Sequence, residues 1–179
     1  MTGAAVETLL YLMDEAFQGS DHEQDLLANL RNVRPEDWLW LPPGGARPIA
    51  AIVGHVGACK YAYDNHMFGD ATMTWKDPVL QPQDHPAADV EATLAWLREG
   101  HQRLRSHVAA LEDGELLEPR RRPEGGKKET RWLISVLIQH DLYHAGEINH
   151  LRALRHGDDR WAWAPTARAE ELRARRQPP

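Results

Sequence analysis

Hydrophobic residues recur at three- and four-residue steps along most of the chain, which is typical of amphipathic helices. The first stripe of this kind consists of Val6, Leu9, Leu10, Met13 and Phe17. Nowhere do β-branched residues alternate with polar ones over four to eight positions between turn signals, so we predict no strands. The pattern therefore indicates an all-α protein.

Turn-forming residues divide this pattern into four predicted helices. Their approximate bounds are 4–30 with a break near Gly19, 48–68, 87–111 and 130–155. Pro48 suits the first turn of the second helix, because a first-turn residue needs no N–H donor. The proline-containing stretch 70–86 is long enough to cross between the ends of a bundle. We expect a single domain over residues 1–179, an up-down four-helix bundle with a long crossover connection between helices 2 and 3, and a C-terminal tail at 158–179.

Length and composition agree with one globular domain, since the chain has 179 residues, 42% of them hydrophobic and 27% charged. No apolar run approaches about 18 residues, and the N-terminus has no basic region or cleavage-like site, so we expect a cytoplasmic protein with no membrane partner. Cys59 is the single cysteine, which excludes an intramolecular disulfide and Cys-rich metal motifs. Any metal site must therefore use histidines and carboxylates.

The formal net charge of −6 argues against nucleic-acid binding, which requires a basic face. The basic stretch 118–131 contains two prolines and two glycines among its cations. We interpret it as a solvated loop between helices and not as a nucleic-acid site.

Three of the ten histidines have a position that suggests chemistry. His140 and His144 stand one turn apart on the predicted fourth helix, with Cβ atoms roughly 5–6 Å apart. The spacing alone is weak evidence, since about 0.5 such pairs would arise by chance in a chain this rich in histidine. The other seven are interpreted as structural, although His66 and His150 could contribute near a bundle end: His22, His66, His85, His101, His107, His150 and His156.

His55 shares a predicted apolar face with Ile52, Val56, Cys59 and Tyr63, so it and the His140/His144 pair would all point toward the core. Burial of an imidazole without a partner costs roughly 1–3 kcal/mol. A carbonyl, a carboxylate or a buried water could satisfy each ring separately, but one divalent transition metal satisfies all three. Neutral imidazole favours Zn, Ni, Fe or Cu over Ca or Mg.

Three protein ligands leave a coordination position open, which is the arrangement of catalytic sites. Such an ion could activate a bound water or thiol as a nucleophile. Glu147 is a candidate to orient a ring N–H or to act as a base, or else an ordinary surface carboxylate, and Tyr143 is a second candidate catalytic residue. Cys59 is better explained as a small residue filling a gap between helices than as a fourth ligand or nucleophile. Six tryptophans favour core cover or a subunit contact over a substrate mouth: Trp38, Trp40, Trp75, Trp132, Trp161 and Trp163.

Two segments, RPEDWLWLPPGGARPIAAIVGHVGACKYAYDNHMFG and LIQHDLYHAGEINHLRAL, resemble the DinB/YfiT-like superfamily of metalloenzymes. The likeness covers most of the chain. It implies a four-helix bundle that is commonly a homodimer, with the metal triad on His55, His140 and His144. It also implies Zn or Ni as the metal, with Fe or Mn as alternatives.

The resemblance leaves the reaction open. Members whose activity is understood are similar to thiol-dependent S-transferases or mycothiol-dependent isomerases, and many others are known only as stress- or damage-induced proteins. We therefore expect a metal-dependent transferase or hydrolase that directs a low-molecular-weight thiol or water at a small electrophile. The alternative is a non-catalytic stress-response bundle that acts through self-association or a protein partner. A DNA-associated damage factor is suggested only by the family's name, and the acidic charge counts against it.

Overall fold

Helices make up most of the protein, whose computed structural model describes residues 3–20, 22, 24–45, 47–80 and 89–157. The four long helices are α1 (Ala4–Gln18), α4 (Ile49–Phe68), α5 (Val90–Ala109) and α6 (Thr130–His156). Shorter elements lie between them: α2 (Leu26–Asn29), α3 (Pro35–Trp38) and two 3-10 turns at Pro78–Leu80 and Asp113–Leu117. The predicted all-α class is confirmed in this mostly helical structure, whereas the up-down bundle topology stays a prediction.

The predicted break in the first helix is wider than expected. After α1 ends, the chain resumes helical geometry only for the single turn of α2. Asp25 explains the interruption, because its carboxylate accepts from the backbone N–H of Ala28 at 2.7 Å and caps α2. The same carboxylate accepts from the N–H groups of Gly19 and Ser20 at 3.3 Å. One side chain therefore holds both ends of the connection.

The ends of the later helices are set by capping residues. Pro48 is the N-cap of α4 in an extended conformation and does not lie within the first turn. Asp89 caps α5 by accepting from the backbone N–H of Ala92, so this helix begins at Val90 and not near residue 87. At the end of α6, Gly157 takes a φ of 74°, the left-handed geometry in which helices commonly stop. Four predicted features lie outside the described residues: the stretch 81–88 with His85, the tail 158–179, Trp161 and Trp163.

The basic stretch between α5 and α6 contains a β-hairpin, so the prediction that the chain has no strands is wrong, although the segment is solvated as expected. Strand β1 (Pro119–Arg121) pairs antiparallel with β2 (Lys127–Glu129). The turn between them uses Gly125 and Gly126 at φ values of 89° and 74°. Each strand has only three residues and no buried face. The sequence therefore lacks the alternation of apolar and polar residues from which a strand is predicted.

Helix α4 packs against both α5 and α6, and α1 also contacts α5 and α6. The apolar core lies between these helices, and Trp38 is fully buried in it. Trp75 and Trp132 are 46% and 41% exposed, so both lie at the surface, and their interpretation as core cover or a subunit contact stays a prediction. Within the described ranges, no helix combines the length and apolarity that a membrane crossing requires.

Candidate metal centre

Three histidine rings converge between α4 and α6. The Nε2 atom of His140 lies 3.0 Å from Nε2 of His55 and 3.2 Å from Nε2 of His144. One potential ligand atom from each ring lies within 4.8 Å of the other two. The structure thus brings together the three residues that we singled out from the sequence, although His55 and His140 are 85 residues apart.

The cluster lies at the border of the core. His144 is buried, His140 is half-buried and His55 is exposed. The expectation that all three rings point into the core is therefore wrong for His55. Its neighbours Ile52 and Val56 are buried, which places His55 at the edge of the apolar face of α4. The arrangement leaves one side of the cluster open to solvent.

Two of the three nitrogen spacings are close to those of a metal site. In a tetrahedral site with Zn–N bonds of about 2.0–2.1 Å, ligand nitrogens are separated by about 3.3–3.4 Å. The two Nε2–Nε2 distances of 3.0 and 3.2 Å are close to that separation. The donor set and these two spacings are therefore compatible with a transition-metal site, while all three ligand atoms lie within 4.8 Å of one another.

Glu147 contacts the buried ring of His144. Its Oε2 lies 2.8 Å from Nδ1 of His144, on the far side of the ring from the cluster. A carboxylate in this position holds the ring proton on Nδ1 and leaves the Nε2 lone pair for a metal. The contact agrees with the orienting role that we considered for Glu147 from its spacing of three residues.

Arg47 completes this arrangement, and sequence reasoning missed it. It donates to Glu147 through Nε at 3.0 Å and through Nη2 at 2.7 Å. Burial raises the pKa of Glu147, but hydrogen bonds from Arg47 and His144 outweigh it and hold that pKa below its ordinary value. The position before Pro48 gave no signal, since the contact spans 100 residues.

The pKa values of the half-buried and exposed ligands favour neutral rings. Burial, with further contributions from His144 and His55, lowers the pKa of His140 to about 3. Burial also lowers the pKa of His55, and the neighbouring His144 and Arg47 act in the same direction. Neutral imidazole is the form that binds metal.

Cys59 and Tyr143 adjoin the cluster in different ways. The Sγ atom of Cys59 lies 3.9 Å from Nε2 of His55, and burial raises the pKa of this thiol to about 12. A buried, protonated thiol suits a packing role. Tyr143 is 71% exposed, and its ring meets that of His144 edge-on with 5.0 Å between centroids. It therefore stands at the solvent side of the cluster.

No other group of histidine, cysteine and carboxylate ligands forms within the described part of the chain. His107 and His156 instead face buried carboxylates, at 2.6 Å from Asp64 and 3.3 Å from Asp37. His66 meets the carbonyl of Ala62 at 2.9 Å. The described histidines outside the cluster therefore have no metal-ligand geometry.

A mostly helical fold with three histidines placed to share one ion defines a class of metal-binding helical proteins. Residues 18–148 match the sequence model of the DinB superfamily. Because the match covers well over half of the chain and includes all three histidines, the chain belongs to the DinB superfamily. No curated protein and no solved structure matches the chain significantly.

Proposed function

We propose that this protein is a metal-dependent enzyme in which His55, His140 and His144 hold one divalent transition metal. Zn and Ni are the preferred metals, and Fe and Mn are the alternatives. The observation that carries the proposal is the convergence of three ring nitrogens on a point that is open to solvent. Membership of the DinB superfamily supports it. We further propose that the four long helices form the up-down bundle of this family.

The three proposed ligands come from two helices. His144 and His140 supply a rigid pair from one helix, and His55 closes the triad from another. When bound, an ion of this kind lowers the pKa of a coordinated thiol or water and so supplies a nucleophile near neutral pH. The exposed side at His55 admits a small electrophile without opening of the core. We propose transfer of a thiol, or hydrolysis, as the reaction class.

Glu147 and Tyr143 have different roles in this proposal. Both oxygens of Glu147 already accept hydrogen bonds, and its low pKa makes it a weak base. We therefore assign Glu147 to positioning His144. The exposed phenol of Tyr143 lies beside the open side of the cluster and is the better candidate to contact substrate.

Elemental analysis of tag-free protein tests the site. We expect near-stoichiometric metal in the wild type and its loss in both His55→Ala and His140→Ala. His150→Ala is the matched control, because His150 is an exposed histidine on α6 outside the cluster, and it should retain metal. Absence of metal from the wild type, even after reconstitution, would refute the site.

The reaction is tested separately with a panel of small thiols and a chromogenic electrophile. His144→Ala should abolish turnover while circular dichroism shows an intact fold. If turnover survives in this variant, the catalytic part of the proposal is wrong.

Exposed apolar side chains beside the cluster favour a second function, that of a non-catalytic homodimer. Leu142 and Tyr143 on α6 are 46% and 71% exposed. In that case the metal would raise stability, by about 2.7 kcal/mol at 100 times its dissociation constant, without turnover. The turnover assay separates the two functions, and light scattering tests whether the protein is a homodimer. In either case we propose a cytoplasmic location, supported by the single cysteine.

A further inference from the structure

A buried ion pair joins the two helices that carry the histidine cluster. The ammonium of Lys60 on α4 lies 2.7 and 2.9 Å from the two carboxylate oxygens of Asp141 on α6. The side chains are 2% and 5% exposed. Asp141 directly follows His140, and Lys60 is five residues beyond His55. The pair therefore lies within about one and a half helical turns of the candidate ligands on both helices.

The pair continues into a buried column that involves all four long helices. The ammonium of Lys60 stands 4.9 Å from the centroid of the Phe17 ring on α1. The same ring stacks on His101 of α5, with 3.7 Å between centroids and an interplanar angle of 4°. None of these side chains is appreciably exposed. Each long helix thus contributes one residue to a column beside the histidine cluster.

Stability alone does not account for such a pair. Charges must be stripped of water to enter the core, and apolar residues of similar volume often stabilise a protein as well or better. Apolar contacts tolerate sliding of one helix on another, whereas separating a buried lysine from its carboxylate leaves an uncompensated charge and is strongly destabilising, so the pair favours the one register in which the two groups meet. Register is what the cluster needs, since Nε2 of His55 must lie 3.0 Å from Nε2 of His140 across the same interface.

We propose that Lys60 and Asp141 are positioning residues for the metal centre, fixing α4 against α6 so that His55 meets the His140/His144 pair. The inference rests on the proposed metal site. Phe17 and His101 support the pair from the opposite helices. Neither Lys60 nor Asp141 is a ligand in this proposal.

The test replaces both charges at once, in Lys60→Met with Asp141→Leu, so that no unpaired charge is buried. Thermal unfolding of the metal-free protein reports stability, and Co(II) titration against a competing chelator reports affinity and the d–d spectrum. We expect the double variant to melt at or above the wild-type temperature. Its Co(II) affinity should fall by about 10- to 100-fold, which is the range for residues that orient metal ligands. Its Co(II) d–d spectrum should also differ from that of the wild type.

The control is the ion pair between Asp14 and Arg105, which joins α1 to α5, the two long helices that carry none of the three clustered histidines. Asp14→Leu with Arg105→Met should leave the Co(II) affinity and spectrum unchanged. A fall in Co(II) affinity in both double variants would indicate a general effect of removing an ion pair between helices and would overturn the positioning role.

The outcomes separate this inference from the metal proposal. If wild type binds Co(II) and the Lys60/Asp141 double variant binds it with the same affinity and spectrum, the positioning role is overturned and the metal site stands. If wild type binds no Co(II), the proposed function itself fails, and this inference falls with it. Should the double variant not fold, Asp141→Asn takes its place, and unchanged Co(II) affinity there overturns the positioning role.

Discussion

Loss of the Glu147 carboxylate should weaken metal binding much more than it weakens the fold. The carboxylate lies between His144 Nδ1 at 2.8 Å and the guanidinium of Arg47 at 2.7 Å. Its side chain is 29% exposed and that of Arg47 is 35% exposed. It therefore orients a ligand while contributing to a partly solvated ion pair.

The two effects have different magnitudes. A carboxylate that orients a metal-bound histidine contributes about 10- to 100-fold in affinity, which is roughly 1.4–2.7 kcal/mol. A partly exposed ion pair contributes only about 0–1 kcal/mol to stability. Glu147→Ala should therefore bind metal about 10- to 100-fold more weakly than the wild type. Glu147→Gln keeps an acceptor for His144 but loses the charge, so it should lose roughly half of that free energy.

Chelator competition with Zn or Co(II) measures the affinities, and urea unfolding of the metal-free proteins measures the stabilities. The control is Glu129→Gln, which removes a carboxylate paired with Arg131 at the start of α6, away from the cluster. Wild-type metal affinity in Glu147→Ala would refute the reasoning. So would an affinity loss no larger than the stability loss.

Two further predictions concern the fold. The pKa of His101 is lowered to about 2 by burial and then by Lys60 and Arg105, so the folded protein holds this ring neutral while the unfolded chain protonates near pH 6.5. The unfolded state therefore binds the extra proton, and the free energy of unfolding falls as pH drops below 6.5. His101→Phe should remove about 2 kcal/mol of the stability loss between pH 8 and pH 5, measured by urea unfolding of the metal-free proteins. A variant that is as acid-sensitive as the wild type would contradict this. Gly57→Ala should destabilise by about 1–3 kcal/mol, because its Cβ would lie 2.1 Å from the Trp96 ring. Gly54→Ala, which meets nothing within 4 Å, should be neutral or stabilising in the same urea titration, and equal effects of the two changes would contradict the packing.

Local periodicity made the helices and one half of the site predictable. His140 and His144 are brought together by the helical repeat itself, and Glu147 follows by the same rule. Neither the residue spacing nor the polar residues next to each histidine could show how deeply each imidazole ring is buried. His55 follows Ile52 by three residues and precedes Val56 by one, and only the packing of α4 shows that it lies at the rim while both neighbours are buried.

The hairpin before α6 shows a second limit. Its strands are three residues long and exposed, so they carry neither the length nor the alternation that marks a strand in a sequence. Backbone pairing alone defines them. The sequence displays turn signals there in Pro123, Gly125 and Gly126, and the structure shows that both glycines take left-handed φ values.

By itself, the sequence determined the helical class, the helix faces and the histidine pair on α6, because these depend on residues within a few positions of one another. The tertiary structure decided which distant groups meet. His55 reaches His140 across 85 residues, Arg47 reaches Glu147 across 100, and Lys60 reaches Asp141 across 81. No local spacing encodes those distances, since they depend on how α4 and the segment before it pack against α6. In the candidate metal centre, helical spacing therefore brings His140, His144 and Glu147 together, whereas tertiary packing brings His55 and Arg47 to them.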